Sequence, residues 1–222
     1  MGFSCVQLSG IGDFKADRVK EILDSNGLKA VCTHRPPQNY LENIEKEIEF
    51  HKTLGCDICG IGAMPGLNAT RENIKSFAEK FIPVSERLKR EGLVFAYHNH
   101  AFEFAKINGV YGFDILRETM KDSGMKYIVD VYWLAVAGID PARFIKERKN
   151  DIACLHFKDL TVIDNAPAFA VVGEGNLDWG GIISACREAG ITYALIEQDD
   201  CRDEDPFDCL ERSFAFLKNK LK

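Results

Sequence analysis

The sequence predicts a parallel α/β fold of the (β/α) barrel kind, and three observations predict it. Short apolar runs alternate strictly with stretches of helical periodicity, the pattern of strands packed side by side with helices outside. Polar and titratable residues collect just after the apolar runs and never before them, as in a barrel whose chemistry sits at the C-terminal ends of its strands. The rival, a doubly wound open sheet, would carry a G-x-G-x-x-G fingerprint after its first strand, and none follows Cys5–Ser9.

Cys5–Ser9 is the first strand. Phe14 to Ser25 is amphipathic, with Val19, Ile22 and Leu23 on one face, and Asn26-Gly27 stops it with a left-handed turn. Ala30–Thr33 is the second strand, ending in His34-Arg35 before Pro36-Pro37. Leu41, Ile44, Ile48, His51 and Leu54 recur at helical spacing up to Gly55. Asp57–Met64 is the third strand. A long helix is expected over about Thr70 to Arg90, kinked or broken at Pro83. Leu93 to Ala96 is apolar enough for a strand buried on both faces, and it runs into Tyr97, His98, Asn99, His100 and Glu103. A helix at about Asp114–Lys121 precedes the run Tyr127–Trp133, and Asp140-Pro141 opens the next helix as N-cap and N1. Ile152–Leu160, a helix at about Gly181–Glu188 and a last strand, Ala194–Asp200, follow. Asp205-Pro206 opens a final helix striped by Phe207, Leu210, Phe214 and Leu217.

Residues 1–222 thus read as one domain with seven strands. A barrel of this kind has eight, and about 250 residues. The pattern therefore predicts that the first βα unit is absent from this chain. Two unpaired strand edges would result, and assembly into a homo-oligomer is one way to cover them.

Composition excludes several classes. With 222 residues, 46% of them hydrophobic, the chain is large enough to bury a full core. No run approaches the ~18 apolar residues of a membrane span, and MGFSCVQLSG lacks the basic and apolar regions of a signal peptide. A net charge of −6 without a basic patch argues against a nucleic-acid partner. The eight cysteines lie mostly inside strand-like and helix-like runs, where a thiol packs as a small hydrophobe. Cys56 and Cys59 have no second pair or nearby His to complete a zinc site. This usage fits a reducing cytoplasm.

The chemistry is expected at four strand ends. The fourth strand delivers His98, His100 and Glu103; the fifth, Asp130 with Tyr132 and Trp133 behind it; the sixth, His156 with Lys158 and Asp159; the seventh, Glu197 with Gln198, Asp199 and Asp200. Each has a bland reading. The histidines would be core residues bonded to backbone, Asp130 a helix cap, Lys158 with Asp159 a surface ion pair of little energetic weight, and 197–200 a solvated acidic loop. Repetition at four strand ends favours a shared site instead. Two Glu, one Asp and one imidazole make a hard, mostly oxygen donor set that suits Mn²⁺, Mg²⁺ or Co²⁺, with Zn²⁺ as a further candidate. A closed structural zinc site would ask for more Cys or His.

The segments YHNHAFEF, VDVYWLAVAGIDP, LHFKDL, GEGNLDW and IEQDD, in that order over nearly the whole chain, resemble the sugar phosphate isomerase/epimerase group of the xylose isomerase-like TIM barrels. The resemblance implies a TIM barrel in which Met1-Gly2-Phe3 is the end of the first helix. It also implies a divalent metal held by Glu, Asp, His and Glu. By position, the last three are Asp130, His156 and Glu197. Relatives often place a Glu where this chain has His98, so the first ligand falls to His98 or Glu103, and Glu103 is favoured. Trp133 stands where some epimerases have a substrate-contacting His.

Such a site moves a proton beside a carbonyl. The cation supplies polarisation of a vicinal hydroxy-ketone and stabilises the enediolate. Glu197 is the expected base, Glu103 or His98 the opposing group, and Lys158 the neutraliser of oxyanion charge. Phe102, Phe104 and Trp133 would wall a sugar face, with His34, His100 and Glu174 as further substrate contacts. The expected function is a metal-dependent isomerase or epimerase of a sugar or keto-sugar. The alternatives are a dehydratase using the same enediolate, an apurinic endonuclease, which the charge disfavours, and a non-catalytic sugar- or metal-binding remnant.

Overall fold

The computed structural model describes residues 1–220, and its backbone follows the expected alternation. In chain order the elements are β1 (Cys5–Ser9), α1 (Ala16–Ser25), β2 (Lys29–His34), α2 (Pro37–Glu42), α3 (Ile44–Leu54), β3 (Ile58–Ile61), α4 (Arg71–Arg90), β4 (Val94–His98), β5 (Lys106–Ile107), β6 (Val110–Tyr111), α5 (Gly112–Met120), β7 (Lys126–Asp130), α6 (Val131–Val136), α7 (Pro141–Arg148), β8 (Ile152–Phe157), β9 (Asp159–Ile163), β10 (Ala166–Ala170), α8 (Trp179–Ala189), β11 (Ala194–Ile196) and α9 (Pro206–Lys220). Seven strands form one parallel sheet in the order β1-β2-β3-β4-β7-β8-β11. That sequential order, with helices between strands, is that of a (β/α) barrel one strand short of eight among the described residues. The chain divides into two compact units, Gly2–Ile128 and Val129 onward.

In the first unit, α4 buries Ile74, Phe77, Ala78, Phe81, Val84 and Leu88, an apolar stripe at helical period. Phe81 stacks on Phe77 at 4.5 Å and on Phe95 of β4 at 5.5 Å. Pro83 does not break α4 as the sequence suggested. It sits on the exposed face, where water can satisfy the carbonyl that the missing N–H leaves behind. At Gly60 of β3, a Cβ would collide with the Thr33 carbonyl of β2, so only glycine allows this approach of neighbouring strands. A buried ion pair fixes the end of β2: Arg35 donates two bonds of 3.0 Å to Glu47 of α3, and Asn39 donates a third of 3.0 Å. The Glu47 side chain is 3% exposed, so this is a desolvated pair, with both carboxylate oxygens matched.

The second unit begins at the end of β7. The sequence read Tyr127–Trp133 as one apolar run, but the strand stops at Asp130 because that side chain caps α6. The run Ile152–Leu160 divides at Lys158 into β8 and β9. β9 and β10 pair antiparallel across Asp164-Asn165, both at positive φ. β5 and β6 of the first unit form a second hairpin across Asn108-Gly109. Both turns have the two-residue left-handed signature. No disulfide joins cysteines among the described residues. None of the described helices is long and apolar enough to cross a membrane.

Candidate metal centre

Asp130 is fully buried and does two things at once. Its Oδ1 accepts from the amides of Tyr132 at 2.9 Å and Trp133 at 3.3 Å, which caps α6. Its Oδ2 faces the other way, 3.8 Å from His156 Nδ1 and 3.6 Å from Lys158 Nζ. The cap and the site readings of this residue both hold. Burial pushes its pKa up to about 6, although Lys158 and His156 pull it down.

His156 and Lys158 lie two residues apart at the end of β8, so both project to one side of the extended chain. β11 brings Glu197 to them. Leu195 pairs with His156, Ile196 with Phe157, and the Glu197 amide continues the ladder to the Phe157 carbonyl at 3.1 Å. Glu197 Oε2 then lies 2.9 Å from His156 Nδ1 and 3.1 Å from Lys158 Nζ. Burial resists charge on His156, but Glu197 and Asp130 outweigh it and raise the pKa. The same contest raises the pKa of Lys158. Its ammonium is shared among Asp130, Glu197 and Asp199, the last at 2.7 Å. Aromatic rings of Phe169, Trp133 and Tyr132 stand 5.0, 5.6 and 5.9 Å from Nζ. Lys158 and Asp159 do not form the surface ion pair considered above, since both are buried and face different partners.

Asp159 is the hub of the GEGNLDW segment. Its carboxylate accepts from the amides of Leu160 (2.8 Å), Gly173 (2.8 Å), Gly175 (3.1 Å) and Leu177 (3.3 Å), and from Trp179 Nε1 (2.7 Å). A Cβ at Gly175 would strike this carboxylate, so the glycine lets the loop close over it. Glu174 points away from Asp159 and is bound by Arg212 at 2.9 Å.

Each of Asp130, His156 and Glu197 offers a ligand atom within 4.8 Å of the others. Two carboxylates and an imidazole, with Asp130 and His156 buried and Glu197 part-exposed, form a donor set that fits a divalent cation of hard or borderline type. Glu103, favoured from the sequence as a fourth ligand, is bound elsewhere. Its Oε1 accepts from Tyr97 Oη at 2.7 Å and its Oε2 from the His100 amide at 2.8 Å, fixing the turn after β4. Burial raises its pKa to about 7, against the opposing pull of those donors. His98 donates through Nδ1 to the Gly62 carbonyl at 3.1 Å, which places the ring lone pair on Nε2, the state a metal ligand requires. His34 and His100 lie 5.1 and 4.8 Å from the His98 ring, and Phe102 stacks on His100 at 5.9 Å.

Sequence reasoning singled out Lys158 and Glu197 but assigned no role to Asp199 or Phe169. The spacing of Glu197 and Asp199 marked them for one side of an extended segment. Phe169 carried no such signal, because it arrives on the unread hairpin.

A family model described as xylose isomerase-like TIM barrel matches residues 1–220. The chain belongs to that family. Solved structures superpose along almost all of it. A sugar phosphate isomerase/epimerase from Parabacteroides distasonis is 22% identical with a TM-score of 0.81, covering 97% of this chain and 86% of the other. A probable 3-DHS dehydratase, AsbF, from Bacillus anthracis is 14% identical with a TM-score of 0.76, covering 98% and 89%. The IolI protein, whose structure holds a zinc atom, is 13% identical with a TM-score of 0.72, covering 98% and 88%. At these identities the likeness is one of fold. No curated protein matches the sequence.

Proposed function

We propose that this xylose isomerase-like barrel is a divalent-metal-dependent isomerase or epimerase of a sugar or keto-sugar. The observation that carries the reading is the convergence of Asp130, His156 and Glu197 at the ends of β7, β8 and β11, with the Lys158 ammonium among them. Those three residues would hold the cation. A bound cation supplies charge stabilisation to the developing enediolate.

The chain's own groups do the rest. Glu197 is the base, part-exposed and able to reach a substrate carbon-bound proton. Lys158 keeps its proton and lends positive charge to the oxygen where negative charge develops. Trp133 and Phe169 wall the ammonium and keep water from it. The test is incubation with Mn²⁺ and a panel of ketoses in D₂O, followed by NMR. Deuterium should enter beside the carbonyl of at least one sugar, and Lys158→Gln should slow this by about 10²–10³-fold. No exchange on any member by protein with bound metal would overturn the reading.

A dehydratase is the second reading. The fold it shares with a probable 3-DHS dehydratase favours it, since the same enediolate can expel a β-hydroxyl. Loss of one water from the sugar, seen as a mass change, distinguishes it.

A further inference from the structure

A cavity of about 160 Å³ opens in the second unit next to the candidate centre. Gln198 in its wall directly follows Glu197, and Phe169 in its wall stands 5.0 Å from Lys158 Nζ. It is smaller than the ~300–1,000 Å³ of pockets that hold a whole ligand, so it takes one end of a ligand. Its lining carries more acid than base, with Arg212 paired to Glu174 and Glu204. Glu174, Asp200 and Glu204 line it, against Arg202 alone among the basic residues. The cations nearby are already engaged. Arg202 donates to the Phe169 carbonyl at 3.1 Å, Arg212 spans Glu174 and Glu204, and Lys158 is shared by three carboxylates.

Carboxylates only accept hydrogen bonds. A sugar hydroxyl donates to them and also accepts from Gln198 or Thr161, which complete the polar wall. A phosphate dianion only accepts and carries charge of the same sign. We propose that this cavity seats the uncharged polyhydroxyl end of the substrate and rejects a phosphorylated one. The proposal rests on the isomerase reading for its substrate, but not for its test.

That test uses small probes on the full chain. Erythritol should shift the amide NMR signals of Thr161, Phe169 and Gln198 selectively, and inorganic phosphate at the same concentration should not. Shifts from phosphate at lower concentration than from erythritol would overturn the proposal, as would an absence of shifts with erythritol. For any ketose that exchanges deuterium, its terminal phosphate ester should show kcat/KM about tenfold lower or less. The double variant Asp200→Asn, Glu204→Gln should narrow that gap to about threefold or less while keeping the hydrogen bonds to Arg202 and Arg212. Equal or faster turnover of the ester would also overturn it. A failure of every ketose to exchange removes the isomerase reading alone, and the probe titration still decides the cavity's preference.

Discussion

Each of the two units buries a cluster of charge, and the clusters are built on opposite terms. In the first, one carboxylate, Glu47, meets one guanidinium, Arg35, through two bonds of 3.0 Å, with Asn39 as a third donor. In the second, Asp130, Glu197 and Asp199 surround one ammonium and one imidazole. The first cluster is complete as it stands, which is what a strut between α3 and the end of β2 needs. The second gathers three carboxylates around one ammonium and one imidazole, and burial, more than its charged neighbours, holds the Asp130 carboxyl up at about 6. Burial of charge alone therefore does not single out a candidate site; unequal numbers of acidic and basic groups do.

The largest expected effect comes from breaking the balanced cluster. Arg35→Ala leaves Glu47 buried and uncompensated, at an expected cost of about 3–5 kcal/mol. Urea unfolding should show the midpoint falling sharply, while metal affinity measured calorimetrically on the folded protein stays as in the wild type. A loss of metal affinity with unchanged stability would invert the assignment of the two clusters.

The unbalanced cluster should respond in the opposite sense. A divalent cation at 100 times its Kd should add about 2.7 kcal/mol, or about 5–10 °C in Tm for a chain of this size. Asp130→Asn and Glu197→Gln should each weaken the cation by at least the ~10–100-fold typical of outer-sphere changes. Without cation, Glu197→Gln should cost little, because it also removes repulsion from Asp130. A thermal melt with and without Mn²⁺ reads both effects. An unchanged Tm on adding Mn²⁺, Co²⁺ or Zn²⁺ would remove the metal centre.

Most of this was legible before any coordinates. The alternation of apolar runs and helices announced the order of the sheet, and Asp130, His156 and Glu197 were marked by standing at strand ends. Glu103 was misjudged because sequence shows that a carboxylate follows β4, not which way the turn aims it. The 3₁₀ turn at Phe102–Phe104 directs it to Tyr97 and the His100 amide. The sequence assigns Asp159 no role of its own for a related reason. Its five donors come from its own neighbour and from residues 14 to 20 positions on, and their convergence depends on a hairpin whose Asp164-Asn165 turn went unread.

Asp159 offers a third way to bury a carboxylate, with neutral donors alone, and so sharpens the contrast. Asp159→Asn must point an amide NH₂ at one of the two groups of amides now donating to Oδ1 and Oδ2. Orphaning those donors should cost about 2–3 kcal/mol and loosen the loop at Gly173–Trp179, seen as faster hydrogen exchange there. Metal affinity should fall far less than for Asp130→Asn. An equal fall would make Asp159 part of the centre instead of its support.

Glu103 supplies the smallest effect and the finest test, because it has two donors and no cation. Its carboxyl is held at about 7 in the folded protein against 4.5 ordinarily, so the folded chain keeps a proton that the unfolded chain has released. The folded state binds more protons across this window, and stability must therefore fall as pH rises from about 4.5 to about 7 and level off above it. A shift of that size is worth up to about 3 kcal/mol by linkage, and structural relaxation around the charge should bring the measured change nearer 1–2 kcal/mol. Other groups titrate in the same range, so the informative quantity is the difference between wild type and Glu103→Gln. The glutamine still accepts from Tyr97 but turns an NH₂ toward the His100 amide, a cost that does not vary with pH. Urea midpoints at a series of pH values should thus give a flatter profile for the variant, with the two curves converging toward high pH. Parallel curves would show that Glu103 is ionised throughout and that its two donors compensate its charge as fully as Arg35 does that of Glu47.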